Sequence, residues 1–262
     1  MSGDFRLDRD GPIAIITLDR PAKRNALTPE SLVQLERLAE GFRDEPDTRA
    51  VIIRAEGEDF SVGADLSSVG GGAEPPAVVQ LRRTARQGAR LMRALQEIDQ
   101  PTICAIQGIA TGGATCIATA CDFRIAAAGA RIGYGEVKLG INLMWNALPL
   151  AVHLVGPARA KRLVMSGDLI EATILAEWGF IDEVVQRLAL DEAALVMAQR
   201  YAALPPVAVQ MIKRSVNALA GAIDQAVMHA DADQWLLGTR TDDFAEALAA
   251  FRQKRAGQFT GN

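Results

Sequence analysis

Apolar and polar residues alternate over residues 5–21, FRLDRDGPIAIITLDRP, in two segments that meet at Asp10 and Gly11. Such alternation is typical of half-buried strands, and an Asp-Gly pair is a strong signal for a tight turn. The pattern therefore predicts a β-hairpin at the start of the chain. A third strand is indicated at residues 48–57, where Val51, Ile52 and Ile53 form a continuous apolar run.

Between these strands the apolar residues change to a helical period. Thr28 and Pro29 are the residue types expected at a helix N-cap and at the first helical position. A single apolar face follows, formed by Leu32, Leu35, Leu38 and Phe42. Strand, helix and strand in this order predict a parallel sheet with crossover helices.

The same alternation of elements continues beyond residue 60. The predicted order is a Gly- and Pro-rich loop at 60–76 with its most flexible part at Gly70–Pro76, a long helix over 77–98, a strand at 100–108, a helix opened by Gly112 and Gly113, a strand at 123–128, a loop around Glu136, and mostly helices from about Asn146. The Gly70–Pro76 segment is a candidate lid for a pocket.

Composition narrows the class of protein. The 262 residues include 49% hydrophobic and 23% charged residues, which is ordinary for a globular protein, and the net charge is −4. Without a dense basic stripe, nucleic acid is not expected as the main partner. Neither a bilayer-spanning apolar run nor an N-terminal signal segment is present, so we expect a cytoplasmic protein without membrane contact.

Cysteines and histidines are few. Cys104, Cys116 and Cys121 form no C-x-x-C pair, which indicates buried thiols in a reducing compartment. His153 and His229 have no partner at metal-ligand spacing, so no metal site is predicted.

Arginines recur at helical spacing in the long predicted helix. They are Arg82, Arg83, Arg86, Arg90 and Arg93. Two interpretations remain open, a solvated helix face and a local site for an anionic ligand.

Two turns that follow strands carry glycines suited to binding a developing negative charge. Gly63 precedes Ala64 in FSVGADL, and Gly112 and Gly113 open a helix in IATGGAT. Glycine lets a ligand approach the backbone, and a helix N-terminus has unpaired N–H groups. N–H groups converging from both turns would form an oxyanion hole for a carbonyl that becomes an enolate. The alternative is that these glycines only turn the chain.

Glu136 stands between glycines in the otherwise apolar stretch IGYGEVKLG. In a dry pocket its pKa would be raised and it would serve as a general acid and base. The alternative is an ordinary carboxylate on a surface loop.

Five segments in this order resemble the motifs of the crotonase superfamily, the enoyl-CoA hydratase/isomerase family. They are RPAKRNALT from Arg20, FSVGADL from Phe60, QPTICAIQGIATGGATCIATACDFRIAA from Gln100, GEVKLGI from Gly135 and SGDLIEATILAEWGFIDEVV from Ser166. The resemblance covers nearly the whole chain, from about Phe5 to its end.

The resemblance implies an α/β fold, namely a crotonase-like spiral of ββα units in residues 1–195 with a C-terminal helical trimerisation region in residues 196–262. A homotrimer is implied, commonly as a dimer of trimers. The implied ligand is an acyl-CoA thioester, and because CoA belongs to the substrate no separate cofactor is expected.

The resemblance also assigns site residues. The backbone N–H groups of Ala64 and Gly113 would form the oxyanion hole, with Glu136 as acid and base. Lys23 or Arg24 would lie near the phosphates and adenine of CoA, and Phe259 near the nucleotide of a neighbouring subunit. The other expected substrate contacts are Ala26, Val62, Gly63, Asp65, Leu66, Gly112, Cys116, Leu143 and Trp145.

One position departs from the family pattern. Hydratases of the family carry two glutamates, and Glu136 matches the later one, but Cys116 occupies the place of the earlier one. A thiol is a weak hydrogen-bond partner and is mostly protonated at neutral pH, so it is a poor replacement for a carboxylate that holds water. Cys116 is either a small apolar filler or, if the helix N-terminus lowers its pKa, a reactive thiol.

The segment INLMWNALP also differs from the glycine-rich stretch of the hydratases. The bulky residues Leu143, Met144 and Trp145 either wall the acyl pocket and select the substrate or belong to the subunit core. Met144 stands where dienoyl-CoA isomerases carry an added acid, which argues against that branch. Asn142 and Asn146 are candidate polar groups of the pocket.

Moving a double bond needs a single group that takes a proton from one carbon and returns it to another. The sequence therefore favours isomerisation of an enoyl-CoA with Glu136 as the only acid and base. Hydration by an atypical site and a non-catalytic acyl-CoA-binding protein are the alternatives. Thioester hydrolysis or decarboxylation on the same scaffold is a further one.

Overall fold

The computed structural model describes residues 3–66 and 77–262. The candidate lid at Gly70–Pro76 lies outside the described residues. The strands are β1 Phe5–Asp10, β2 Ile13–Leu18, β3 Ala50–Ala55, β4 Thr102–Ile106, β5 Ile109–Thr111, β6 Phe123–Ala127, β7 Arg131–Gly133, β8 Ile170–Glu171 and β9 Glu183–Val185. The helices are α1 Pro29–Gly41, α2 Val78–Ala85, α3 Gln87–Gln96, α4 Gly113–Ala120, α5 Ala147–Ser166, α6 Ala172–Glu177, α7 Leu190–Ala202, α8 Pro206–Ala220, α9 Asp224–Met228, α10 Asp231–Gly238 and α11 Asp242–Gln253.

Two sheets form the α/β framework. Six strands are ordered β1-β2-β3-β4-β6-β9, and a smaller sheet is ordered β5-β7-β8. β1 and β2 form the predicted antiparallel hairpin, with Asp10 opposite Ile13 at the turn. From β2 to β9 the neighbours in the large sheet are parallel, which confirms the predicted parallel sheet.

The apolar run in β3 is buried on both faces of the large sheet. Val51 and Ile53 belong to the main core, whereas Ile52 belongs to a second cluster that includes Leu190 and Ala194 of α7. A parallel strand covered on both sides requires such a continuous apolar run rather than alternation. The boundary predicted at residue 195 falls within α7, and the division into a core and a trimerisation region stays a prediction.

α1 begins as the sequence predicts. The Thr28 side chain accepts a hydrogen bond from the Ser31 N–H at 3.1 Å, and the Ser31 side chain accepts one from the Thr28 N–H at 3.0 Å. This reciprocal pair satisfies two N–H groups that the helix itself leaves unpaired. Leu35 and Phe42 on the predicted apolar face are fully buried.

The prediction of one long helix over 77–98 is wrong. The chain forms α2 and α3 instead, with a break at Arg86. α3 buries Leu91, Met92 and Leu95, whereas α2 buries only Ala85 and has an ion pair between Arg82 and Asp233 of α10 at 2.6 Å. Because α2 pairs with α10 whereas α3 packs in the main core, the helix is interrupted between them at Arg86.

Three findings concern the remaining sequence predictions. Cys104, Cys116 and Cys121 are all free and buried. The predicted loop around Glu136 contains a short 3₁₀ helix, Glu136–Leu139. Among the helices of the described residues, none combines the length and the apolar character that crossing a membrane requires.

Candidate active site

The glycine turn that follows β3 meets the glycine turn that follows β5. Ser61 and Ala110 pair in a parallel bridge, with the Ser61 N–H bonded to the Ile109 carbonyl at 3.0 Å and the Thr111 N–H bonded to the Ser61 carbonyl at 3.2 Å. Gly63 follows with a φ of +79°, and a Cβ atom there would lie 2.5 Å from the Thr111 carbonyl oxygen and 3.6 Å from the Gly113 nitrogen. Only glycine allows the two backbones to come this close.

The second turn ends in the first residue of α4. Gly112 has a φ of +57°, and its N–H donates to the Gly133 carbonyl at 3.1 Å. Gly113 is the first helical residue, so its N–H has no partner inside the helix. The partial positive charge of the helix N-terminus lies at this N–H.

Ala64 presents a second N–H at the same junction. Leu27 donates to the Gly63 carbonyl at 2.8 Å and accepts from the Asp65 N–H at 2.9 Å. In such a parallel bridge the intervening residue, Ala64, turns its own N–H away from Leu27. Among the residues described, neither the Ala64 N–H nor the Gly113 N–H has an acceptor.

Glu136 is brought to this junction by the small sheet. β5 pairs with β7 so that Thr111 lies opposite Gly133, and the 3₁₀ helix that begins at Glu136 follows at once. Its Oε1 is 3.3 Å from the position of a Cβ at Gly112, and its buried Oε2 has no hydrogen-bond partner among the described residues. Burial raises the pKa of Glu136 from its ordinary 4.5 to about 7.

Cys116 lies in the first turn of α4, close enough to Glu136 for the charge of that carboxyl to act on the thiol. The thiol is buried, and its pKa is raised well above the ordinary value, first by burial and then by the negative charge of Glu136. The thiol is therefore protonated at neutral pH. This result favours the small, apolar-like filler over the reactive thiol, because the environment opposes ionisation.

The segments predicted to bind CoA run side by side. The Val62 N–H donates to the Arg24 carbonyl at 3.1 Å, and the bridge of Leu27 to Ala64 continues the contact. Lys23 is exposed at the end of a short 3₁₀ helix, whereas the Arg24 guanidinium is bonded to Asp59 at 2.7 Å. Three further residues expected to contact the substrate belong to these segments: Ala26 is buried, and Asp65 and Leu66 are half-buried.

The bulky segment after Glu136 packs inside this chain. Leu143 is buried in the main core. The indole of Trp145 spans two glycines, because a Cβ at Gly88 would fall 2.0 Å from its Cδ1 and a Cβ at Gly113 would fall 2.5 Å from its Cη2. Trp145 thus lies against the helix end that carries the Gly113 N–H.

Asp231, at the start of α10, is a residue of this site that sequence reasoning missed. It is 4% exposed, and its Oδ2 accepts the Asn146 N–H at 2.7 Å. Burial raises its pKa, and its charge also raises the pKa of Cys116. The sequence carried no signal for it, because an aspartate at a helix start is usually a solvent-exposed N-terminal residue.

Phe259 does not lie at this junction. Its ring packs against Gly257 of the same C-terminal segment and is 55% exposed. The position leaves its predicted role at a neighbouring subunit untested.

Comparison with known proteins gives a consistent picture. The family model described as enoyl-CoA hydratase/isomerase matches residues 8–262. A crotonyl-CoA hydratase of Syntrophomonas wolfei is 31% identical over 255 residues, which cover 97% of this chain and 96% of that protein. A 1,2-epoxyphenylacetyl-CoA isomerase of Escherichia coli is 28% identical over 95% of each chain.

A solved structure agrees in fold. The enoyl-CoA hydratase/isomerase from Xanthobacter autotrophicus superimposes with a TM-score of 0.87 at 29% identity, covering 97% of this chain and 94% of that chain. The similarity extends over both sheets and the C-terminal helices rather than over the glycine turns alone.

Proposed function

Since this chain belongs to the enoyl-CoA hydratase/isomerase family, we propose that it moves the double bond of an enoyl-CoA thioester with Glu136 as the only acid and base. The N–H groups of Ala64 and Gly113 would hold the thioester oxygen. The observation that carries this proposal is the position of one buried carboxyl, Glu136, beside the Gly112–Gly113 turn, with a protonated thiol where a second carboxyl would be needed for hydration.

The reaction follows from these groups. Glu136 removes a proton from the carbon next to the thioester carbonyl of a 3-enoyl-CoA, and the electron pair delocalises onto the carbonyl oxygen. Two N–H donors stabilise that oxyanion, and removal of one such donor costs about 3 kcal/mol in measured cases. The same carboxyl then returns the proton to the fourth carbon of the dienolate, which gives the 2-enoyl-CoA.

The raised pKa of Glu136 suits both halves of this transfer. With a pKa of about 7 the carboxyl is present in both protonation states at neutral pH. An acid and base works best when its pKa is near the working pH, because it can then accept the proton and give it back.

Hydration is the second candidate function, and relatives named as hydratases favour it. It requires a water molecule that is held and deprotonated while a proton reaches the substrate. Cys116 is a poor partner for that water, and the Asp231 carboxylate is already engaged by the Asn146 N–H. These contacts support isomerisation over hydration.

The CoA moiety is proposed to lie along residues 20–28, with Lys23 and Arg24 as its cationic contacts. Because Asp59 pairs with Arg24, Lys23 supplies the freer positive charge for the phosphates. In this proposal the reaction uses neither a metal nor a cofactor apart from the CoA of the substrate. The free, buried thiols support the predicted reducing, cytoplasmic compartment.

A homotrimer remains our proposal for the assembly. α8 buries none of its residues within the chain. Its exposed large apolar residues are Val207, Met211, Ile212, Val216 and Leu219. An apolar helix face of this kind is typical of a subunit interface, and a second copy of this chain is the partner we expect. Sedimentation analysis of Met211→Glu against the unmodified protein would test it.

The test of the reaction uses 3-enoyl-CoA and trans-2-enoyl-CoA with mass-spectrometric product analysis. We expect conversion of the 3-enoyl to the 2-enoyl compound without 3-hydroxyacyl-CoA, and a loss of about a hundredfold or more in Glu136→Gln. Glu192→Gln, which removes an exposed carboxylate on α7, is the matched control. The wild-type rate should rise through about pH 7 as Glu136 loses its proton.

Two results would contradict the proposal. Formation of 3-hydroxyacyl-CoA that depends on Glu136 would show that water is positioned without the second carboxyl. Tight binding of the thioester without any turnover, unchanged in Glu136→Gln, would assign the chain to the non-catalytic binders.

A further inference from the structure

The backbone is strained where the bulky segment enters α5. Trp145 has a φ of +67° and Asn146 a φ of +57°, so two consecutive residues other than glycine adopt the left-handed conformation. Asparagine tolerates this region, but a bulky residue such as tryptophan is found there only when the surrounding structure enforces it. Contacts outside the turn must therefore hold Trp145 and Asn146 in this conformation.

Asp231 supplies these contacts from the C-terminal helices. Its Oδ2 accepts a hydrogen bond from the backbone N–H of Asn146 at 2.7 Å. When the Asn146 amide is oriented with its nitrogen toward Asp231, the same Oδ2 also accepts a hydrogen bond from Asn146 Nδ2 at 3.1 Å. The same Nδ2 donates to the Met228 carbonyl at 3.2 Å. Both the backbone and the side chain of the second strained residue are therefore fixed to the start of α10.

The strained turn places the Trp145 indole between α3 and α4. The five-membered ring lies on Gly88 and the six-membered ring lies on Gly113, close enough that a Cβ at either glycine would overlap it. Glu136 contacts the same turn at the preceding residue, because its Oε1 is 3.3 Å from the position of a Cβ at Gly112. A thioester held by the Gly113 N–H would thus lie close to both the proposed catalytic carboxyl and the indole.

We infer that Trp145 is a specificity-determining residue that restricts the substrate to short acyl groups, and that Asp231 is a positioning residue that acts through it. The inference rests on the proposed function, because it takes the thioester carbonyl to lie at the Gly113 N–H. An acyl chain that extends past the reacting carbons meets the indole, which occupies the gap between α3 and α4.

Binding of saturated acyl-CoA tests the inference without requiring turnover. Longer chains ordinarily bind more tightly because they bury more apolar surface, so a preference of the wild type for butanoyl-CoA over decanoyl-CoA is the expected sign of a closed pocket. Trp145→Gly removes the indole and fits the positive φ. It should shift the ratio of the two dissociation constants toward decanoyl-CoA by about tenfold or more.

Two further variants separate this effect from general loss of structure. Trp178→Ala removes an indole that stacks with Arg159 and Arg162 rather than with the glycines of the site. It should leave the ratio of the two dissociation constants unchanged. Trp145→Phe keeps an aromatic ring in the gap and should give a smaller shift in the same direction if the glycine variant does not fold.

The role of Asp231 is tested by a double-mutant cycle on the same ratio. Asp231→Ala should shift chain-length preference in the direction of Trp145→Gly, and should add nothing in the Trp145→Gly background, because the indole it positions is then absent. An independent shift in that background would show that Asp231 acts by another route.

The outcomes distinguish this inference from the proposed function. Two results overturn the inference even if 3-enoyl-CoA is isomerised. One is a wild type that binds decanoyl-CoA more tightly than butanoyl-CoA. The other is a ratio of the two dissociation constants that neither Trp145→Gly nor Trp145→Phe changes. The expected shift in a protein that isomerises nothing supports the inference and overturns the proposed reaction. Failure to bind either thioester overturns both.

Discussion

Replacing Glu136 with glutamine should make the protein more stable at alkaline pH, although it removes the proposed catalytic group. The carboxyl lies against the Gly112–Gly113 turn, and its Oε2 has no hydrogen-bond partner among the described residues. A carboxylate in such a place has lost its hydration without gaining a compensating donor. Glutamine keeps the shape of the side chain and carries no charge at any pH.

The size and sign of the effect follow from the pKa of Glu136. Burial raises it from 4.5 to about 7, and a difference of this size corresponds to about 3 kcal/mol. Below about pH 4.5 the carboxyl is protonated in both the folded and the unfolded chain. Between pH 4.5 and about 7 the folded state keeps a proton that the unfolded state has lost, so the free energy of unfolding falls as the pH rises. Above about pH 7 the full loss is present.

Urea unfolding of the wild type and Glu136→Gln measures this difference at one fixed protein concentration. The stability of the variant relative to the wild type should increase by about 3 kcal/mol between pH 4.5 and about pH 8. Glu192→Gln on the exposed face of α7 should show no such trend. A difference between wild type and Glu136→Gln that stays constant across this pH range would refute the desolvation argument.

Two further predictions concern the glycine turn and Cys116. Gly63→Ala should lower the free energy of unfolding and the turnover rate more than Gly129→Ala does. Both glycines have a φ near +80°, but only at Gly63 would the added Cβ meet backbone, 2.5 Å from the Thr111 carbonyl oxygen. Equal losses in urea unfolding and in enoyl-CoA turnover would contradict this. Cys116→Glu should produce 3-hydroxyacyl-CoA, since it places a second carboxyl beside Glu136, whereas Cys116→Gln should not; a folded glutamate variant without this product would contradict the two-carboxyl argument.

Elements with local signals were predictable from the sequence. The Asp10–Gly11 turn, the Thr28 cap and the glycine start of α4 each depend on neighbours within a few residues, and the structure confirms all three. The resemblance to a known family supplied the fold, because its five motifs extend over most of the chain. The apolar face of α1 and the strands β2, β3, β4 and β6 followed from the apolar pattern, whereas β9 of the large sheet lies where the sequence predicted mostly helices.

Contacts between distant segments were not predictable. The break at Arg86 exists because α2 pairs with α10 while α3 packs in the core. The sequence around Arg86 contains neither a glycine nor a proline that would indicate a helix end there, apart from Gly88 inside α3. The carboxyl of Asp231 is separated from Asn146 by more than eighty residues of sequence. Only the folded chain shows that the two meet.

The nature of residue 116 and the pKa of Glu136 are linked. Burial raises the pKa of Glu136 to about 7, which suits a group that both accepts and returns a proton. A carboxylate at residue 116 would repel the charged form of Glu136 and raise the pKa of Glu136 further. Glu136 would then be protonated at neutral pH, unless the two carboxyl groups shared a bound water and its proton. The neutral thiol of Cys116 avoids this repulsion, so the proposed single-carboxyl transfer by Glu136 has no charged neighbour at residue 116.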